Sequence, residues 1–191
     1  MQKSRAHART NFPMSDLTET AEGRVPVAST AAAAVCERVA QIVDGAEARL
    51  AVDFAKIFLG RTPSELMSER GTDDMAHMVV GAYRFLADAR PDRVDVVVAT
   101  PNDERDGWSA PLTTVRTNIR ERPFIVDTIR EFLHSQQLSI SHIVYPVFAI
   151  DRDEQGNLVA VRPVGEGVSK ESLVHCEVSR VGGPERVASI Q

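Results

Sequence analysis

The residues best suited to chemistry in this chain stand together at Asn118-Ile119-Arg120-Glu121-Arg122-Pro123-Phe124. Arg120 and Arg122 are fixed cations with planar donor forks. Pro123 sits where a first helical residue is expected, because its missing N–H is one of the donors a helix start leaves unpaired. The helix start itself adds free N–H groups and partial positive charge. That combination suits a carboxylate, such as that of an amino acid. The same residues also suit a structural part, with the arginines solvated or paired to Glu121 and Asp127 and with Phe124 in the core. Asp127 complements the helix dipole or pairs with Arg130 at i+3.

Elsewhere the chemistry is sparse. His7, His77, His134, His142 and His175 show no HxxxH spacing, so packed or surface histidines are expected and no metal site. His142 and His175 fall on two expected strands and could face each other across a sheet. Cys36 and Cys176 form no CxxC and read as inert packed thiols of a reducing, cytoplasmic compartment. Trp108 beside Gly107 reads as an anchor folding a loop over the sheet. There is no GxGxxG, Walker or GxSxG motif.

The elements that must position the loop follow from periodicity. Leu112, Thr114, Arg116 and Asn118 alternate with Thr113, Val115 and Thr117, a β-branched period of two that predicts a strand. After the loop, Ile125, Ile129, Phe132 and Leu133 recur at helical spacing and predict one buried stripe, fading at residues 134–137. Residues 139–150 are too β-branched and aromatic for a helix and predict one long strand. Asp153-Glu154-Gln155-Gly156-Asn157 supplies a turn before a strand over 158–161. This βαββ unit is part of a split βαβ, ferredoxin-like sandwich of α+β class with an antiparallel sheet. Upstream, helices are expected over 35–59 (interrupted near Gly45), 64–69 and 72–89, then a strand over 94–100. The Thr62-Pro63-Ser64-Glu65 run reads as a capping box with proline at the first helical position. A last strand is expected over 172–179.

The run TNIRERPFIVDTIREFLHSQQLSISHIVYPVFAIDRDEQGNL resembles the N-terminal ACT-type regulatory region of the large, NAD-specific glutamate dehydrogenases of bacteria. The family pattern there is a strand, a short polar loop, a PF(L/I)VDS-like helix start, a helix ending near GL, then a strand with HPV and an acidic-Gly turn. This chain has RPFIVDT, QL for GL, and IVYPVFAI, so Tyr145 stands where the family usually has His. Gly107-Trp108 and the later ESLVHCEVSR also fit, and the likeness extends over about residues 52–180. The resemblance implies an ACT-type fold in which Asn118, Arg120, Arg122 and Phe124 line an effector site at the loop after the first strand of the unit. It also implies no catalytic residues in this segment. Only Lys3, Lys56 and Lys170 are present, none in a dehydrogenase motif. NAD would serve the parent enzyme and no cofactor this segment. Its partners would be other domains and subunits of the same homo-oligomeric enzyme and an amino-acid effector.

Composition agrees with that class. With 191 residues, 43% hydrophobic and 26% charged, the chain can bury a substantial core. A net charge of −5 argues against nucleic acid, and no apolar run is long enough for a membrane span. Three regions are expected: a disordered tail over 1–30, a helical segment over 31–91, and the ACT-like domain over 92–191. The last stretch, Glu185 to Gln191, starts like a helix and ends without a cap, which reads as a truncated piece of something longer. The alternatives are a free-standing ACT-type amino-acid sensor and, disfavoured by charge and by the lack of sheet aromatics, an RNA-binding ferredoxin-like sheet.

Overall fold

The computed structural model describes residues 30–90, 92–165 and 169–191, so the tail expected over residues 1–30 lies, except for Thr30, outside them. In chain order the elements are α1 (Thr30–Ile42), α2 (Glu47–Leu59), α3 (Ser64–Glu69), α4 (Thr72–Asp88), β1 (Asp95–Ala99), α5 (Asp103–Asp106), β2 (Leu112–Arg120), α6 (Ile125–Ser135), β3 (Ile140–Val144), β4 (Val147–Arg152), β5 (Leu158–Pro163), β6 (Lys170–Ser179) and α7 (Pro184–Ile190). The interruption expected near Gly45 is a full break between α1 and α2, with Gly45 at φ 68, where a side chain would be strained. Pro63 is the N-cap of α3 rather than its first residue. The Thr62 hydroxyl donates to the Phe58 carbonyl (3.0 Å) instead of closing a capping box. The one-turn α5, read as loop from sequence, forms because the Asn102 side chain accepts the Glu104 N–H at 2.9 Å.

The sheet runs β1-β2-β6-β4-β5 with every paired neighbour antiparallel. β2 lines one edge of β6 along its whole length, from Leu112 opposite Ser179 to Arg120 opposite Glu171. The other edge is shared: β3 pairs with Val178 to His175, and β4 with Ser172 to Lys170. β2 and β4 therefore run parallel with β6 between them, which is the split βαβ arrangement. The single long strand expected over 139–150 is instead two strands broken at Tyr145-Pro146. Proline has no N–H for the ladder, and its carbonyl accepts the Leu173 N–H at 3.2 Å.

Both faces of the sheet are covered. Val174, Cys176 and Val178 of β6 pack with Val115, Ile125, Leu133 and Ile190 beneath α6 and α7. The alternate residues of β6 face the helices α1–α4: Leu173 joins their core, and His175 meets the edge of Phe58 at 6.0 Å. Phe54 of α2 stacks on Phe148 of β4 (5.0 Å between centroids) and on Phe58 (5.6 Å), with Tyr83 of α4 at its edge (5.9 Å). The N-terminal helices and the sheet thus share one core. Such aromatic pairs add about 0.5–1.5 kcal/mol each beyond area burial.

The helix α6 departs from expectation at one face. Ile125 and Leu133 are buried and Ile129 packs beside them, but Phe132 is 41% exposed. Spacing of i, i+4, i+8 puts residues 125, 129 and 133 on the sheet, and residue 132 is turned about 100° away from 133. The C-terminal end is a Schellman turn: Leu138 N–H donates to Leu133 O (3.0 Å) and Gln137 N–H to His134 O (2.8 Å). Gln137 there takes φ 58, a conformation that glycine fits best.

Candidate effector site

The loop between β2 and α6 starts where the Glu121 N–H donates to the Lys170 carbonyl (2.8 Å). The helix begins at Ile125, two residues later than the Pro123 start expected, because Phe124 is the N-cap with φ 67. A left-handed aromatic residue costs about 1–2 kcal/mol. The Phe124 carbonyl is held by the Thr128 N–H (3.0 Å) and hydroxyl (2.8 Å). Its ring is 75% exposed, so Phe124 is not a core residue. Beneath the loop, Arg122 and Pro123 join Val94, Ile119, Ile125 and Ile129 around a largely apolar cleft of about 430 Å³.

Of the four residues singled out from sequence, Arg122 borders this cleft, while Arg120 and Phe124 are exposed two residues to either side. Neither the Arg120 nor the Arg122 side chain has an ion pair or hydrogen bond among the described residues. Glu121 is instead taken by Tyr145, whose hydroxyl lies 3.0 and 2.9 Å from the two carboxylate oxygens. Burial, with Glu121 adding to it, raises the Tyr145 phenol above its usual value. Asn118 lies on the opposite face of the sheet. It is fully buried, and its amide donates to Glu171 Oε2 at 2.9 Å.

That opposite face carries a buried polar ladder, which sequence reasoning missed. Glu171 receives Arg152 through Nε and Nη2, both at 3.0 Å, as well as Asn118. Arg152 also donates to the carbonyls of Leu86 (2.9 Å) and Ala87 (3.2 Å), closing the C-terminal end of α4 with a cation. Farther along β6, Arg116 donates Nε to His175 Nδ1 (3.0 Å) and Nη2 to the Met78 carbonyl (3.3 Å). Burial lowers the Arg116 guanidinium to about 10, still protonated at neutral pH, and pushes His175 down to about 4. His175 is thus neutral at pH 7 with its proton on Nε2, a buried atom without a hydrogen-bond partner.

Glu177 sits between the two histidines expected to face each other: His142 Nδ1 is 3.2 Å from one oxygen and His175 Nε2 is 3.7 Å from the other. Burial opposes the Glu177 charge, but His175 and the Arg70 guanidinium (2.6 Å) outweigh it and draw the carboxyl to about 2. Arg70 in turn lies 4.7 Å over the Trp108 ring, which is buried as the anchor expected. Both glutamates are occupied by arginines, so the ladder ties sheet to helices rather than presenting a free base. The signal for it was present: Glu171, His175 and Glu177 fall on alternating positions of one strand otherwise rich in apolar residues. Cys176 is buried, and burial pushes its thiol up to about 12. Among the described residues no group of three or more His, Cys, Asp or Glu is placed to hold a metal. No described helix is long and apolar enough to cross a membrane.

The chain matches the model of the glutamate dehydrogenase ACT1 domain over residues 54–191. The chain belongs to this family. Among its curated relatives, the NAD-specific glutamate dehydrogenase of Halomonas elongata is 27% identical over 158 residues, 81% of this chain and 10% of that protein. The NAD-specific glutamate dehydrogenase of Pseudomonas aeruginosa is 29% identical over 130 residues, 66% of this chain and 8% of its own length. The chain therefore spans a tenth or less of the curated relatives it matches. No solved structure matches it. The span matched by the ACT1 family begins at Phe54, inside α2, and takes in every strand.

Proposed function

We propose that this chain is the regulatory and assembly region of an NAD-dependent glutamate dehydrogenase, the cytoplasmic enzyme that converts L-glutamate, NAD and water to 2-oxoglutarate, ammonium and NADH. The region itself is non-catalytic and needs no cofactor, and NAD and glutamate act elsewhere in the parent protein. Its role is to bind an amino-acid effector at the β2–α6 loop and to contact neighbouring domains and subunits. One observation carries this reading: Arg122 stands without a protein partner at the edge of an apolar cleft, next to an exposed, left-handed Phe124, with the equally unpaired Arg120 side chain exposed at the end of β2. An amino acid would set its carboxylate on the guanidiniums and the first N–H groups of α6, and its side chain in the cleft. Coupling to the enzyme would require the effector to favour one global state over another. Isothermal titration of the chain with amino acids tests this. One of them binds, and Arg120→Ala with Arg122→Ala weakens it about tenfold or more, as loss of charge-assisted hydrogen bonds should. Unchanged binding in the double variant would remove the loop from the site.

A further inference from the structure

On the helix-facing side of the sheet, between α4, the α5 turn and β2, lies a cavity of about 230 Å³. Three guanidiniums line it. Arg105 is held by Asp106, through Nε (3.0 Å) and Nη2 (2.6 Å), and by the Thr100 carbonyl. Arg116, on the floor, is anchored by His175 and the Met78 carbonyl, while its Nη1 has no partner among the described residues. The Arg84 side chain is exposed at the rim and likewise has no hydrogen bond or ion pair among the described residues. Three cations thus meet one carboxylate, in a chain whose net charge is −5.

The backbone is fitted to this arrangement. A Cβ on Gly81 would come 3.1 Å from Arg116 Nη1, and one on Gly107, at φ 74, would come 2.3 Å from His77 Nδ1. Side chains at either position would therefore crowd the lining residues Arg116 and His77. The remaining lining is mixed, with His77 and Thr114 beside the apolar Val80, Ala99, Pro101 and Trp108. A volume of about 230 Å³ is below the ~300–1,000 Å³ of pockets for drug-sized ligands. Nucleotides are therefore too large, whereas a short aliphatic acid fits both the cations and the apolar part of the lining.

We propose that this cavity is a second ligand site, for a short aliphatic dicarboxylate whose two charges match the guanidiniums of Arg84 and Arg116. It is separate from the β2–α6 loop and stands or falls independently of it. Bound there, the ligand bridges α4 and β2 and so fastens the helices to the sheet.

The test is a titration of the ¹⁵N-labelled chain with glutarate at constant ionic strength, followed by NMR. Trp108 is the only tryptophan, so its indole signal reports the cavity directly, with the Gly81 amide as second probe. The proposal expects saturable shifts at both, weakened about tenfold or more by Arg84→Gln and unchanged by Arg120→Ala with Arg122→Ala. Arg84 is exposed and unpartnered, so that variant folds normally. Absence of saturable shifts, or shifts that survive Arg84→Gln, would overturn the site. An equal response to inorganic phosphate would overturn the dicarboxylate assignment, and loss of the shifts in the loop variant would transfer the binding to the loop.

Discussion

His175 makes the buried ladder measurable. Its ring is fully enclosed, and burial is the main reason its protonation is pushed from the ordinary value of 6.5 down to about 4, with the Arg116 charge acting the same way and Glu177 against it. The unfolded chain takes up this proton near pH 6.5, whereas the folded chain resists it until about pH 4. Within that window the unfolded state binds more protons, so stability rises with pH and is lost as pH falls. At about 1.4 kcal/mol per pH unit, the full window is worth about 3 kcal/mol, and the portion between about pH 7 and pH 4.5 about 2.5 kcal/mol. Glu177 acts in a separate, lower window: its carboxyl is drawn to about 2, so its stabilisation is lost only as pH falls below the ordinary carboxylate value. Urea unfolding across that pH range, on the wild type and on His175→Asn, isolates the histidine. Asparagine keeps an acceptor near Nδ1 for Arg116 but cannot titrate. Whatever stability the substitution itself costs, its pH dependence should be shallower by about 2.5 kcal/mol. Parallel curves for the two proteins would show that His175 is already protonated in the fold or open to water, and would refute the account of the ladder.

Other substitutions follow from the packing. Phe54→Ala, in the aromatic cluster that joins α2 to β4, should cost about 3–5 kcal/mol by chemical denaturation, whereas Phe132→Ala should cost about 1 kcal/mol or less because its ring is half-exposed. Equal costs would mean that α6 is rotated from its placement here. Gln137→Gly should raise stability by about 0.5–1 kcal/mol by relieving the left-handed residue of the Schellman turn. A fall in melting temperature would show that the Gln137 side chain contributes contacts that outweigh the strain.

The parts of this fold legible from sequence were those where one local signal dominates. Period-two residues marked β2, the i+4 spacing of Ile125, Ile129 and Leu133 marked α6, and the acidic-Gly turn at Asp153 to Asn157 set off β5. Phe132 was misplaced because a helical stripe read from types alone cannot separate a core position from its neighbour at its rim. The Pro146 break was hidden because a β-branched run on both sides outweighs one proline until the missing ladder donor is considered. The polar ladder was only half legible: Glu171, His175 and Glu177 alternate along β6, but their partners are remote, Glu177 pairing with Arg70 across 107 residues of chain. At the loop, the Arg120 and Arg122 side chains have no ion pair or hydrogen bond among the described residues, and of the two only Arg122 lines the cleft. Asn118 was assigned to the same site by proximity in sequence, yet strand alternation turns it to the other face, onto Glu171.

The most direct test of the regulatory reading is hydrogen–deuterium exchange of the chain with and without amino acids, and with and without NAD. The account predicts slowed exchange at the end of β2 and the first turns of α6 with one amino acid, and no change anywhere with NAD. Protection by NAD, or a folded chain that no amino acid protects at this loop, would contradict it.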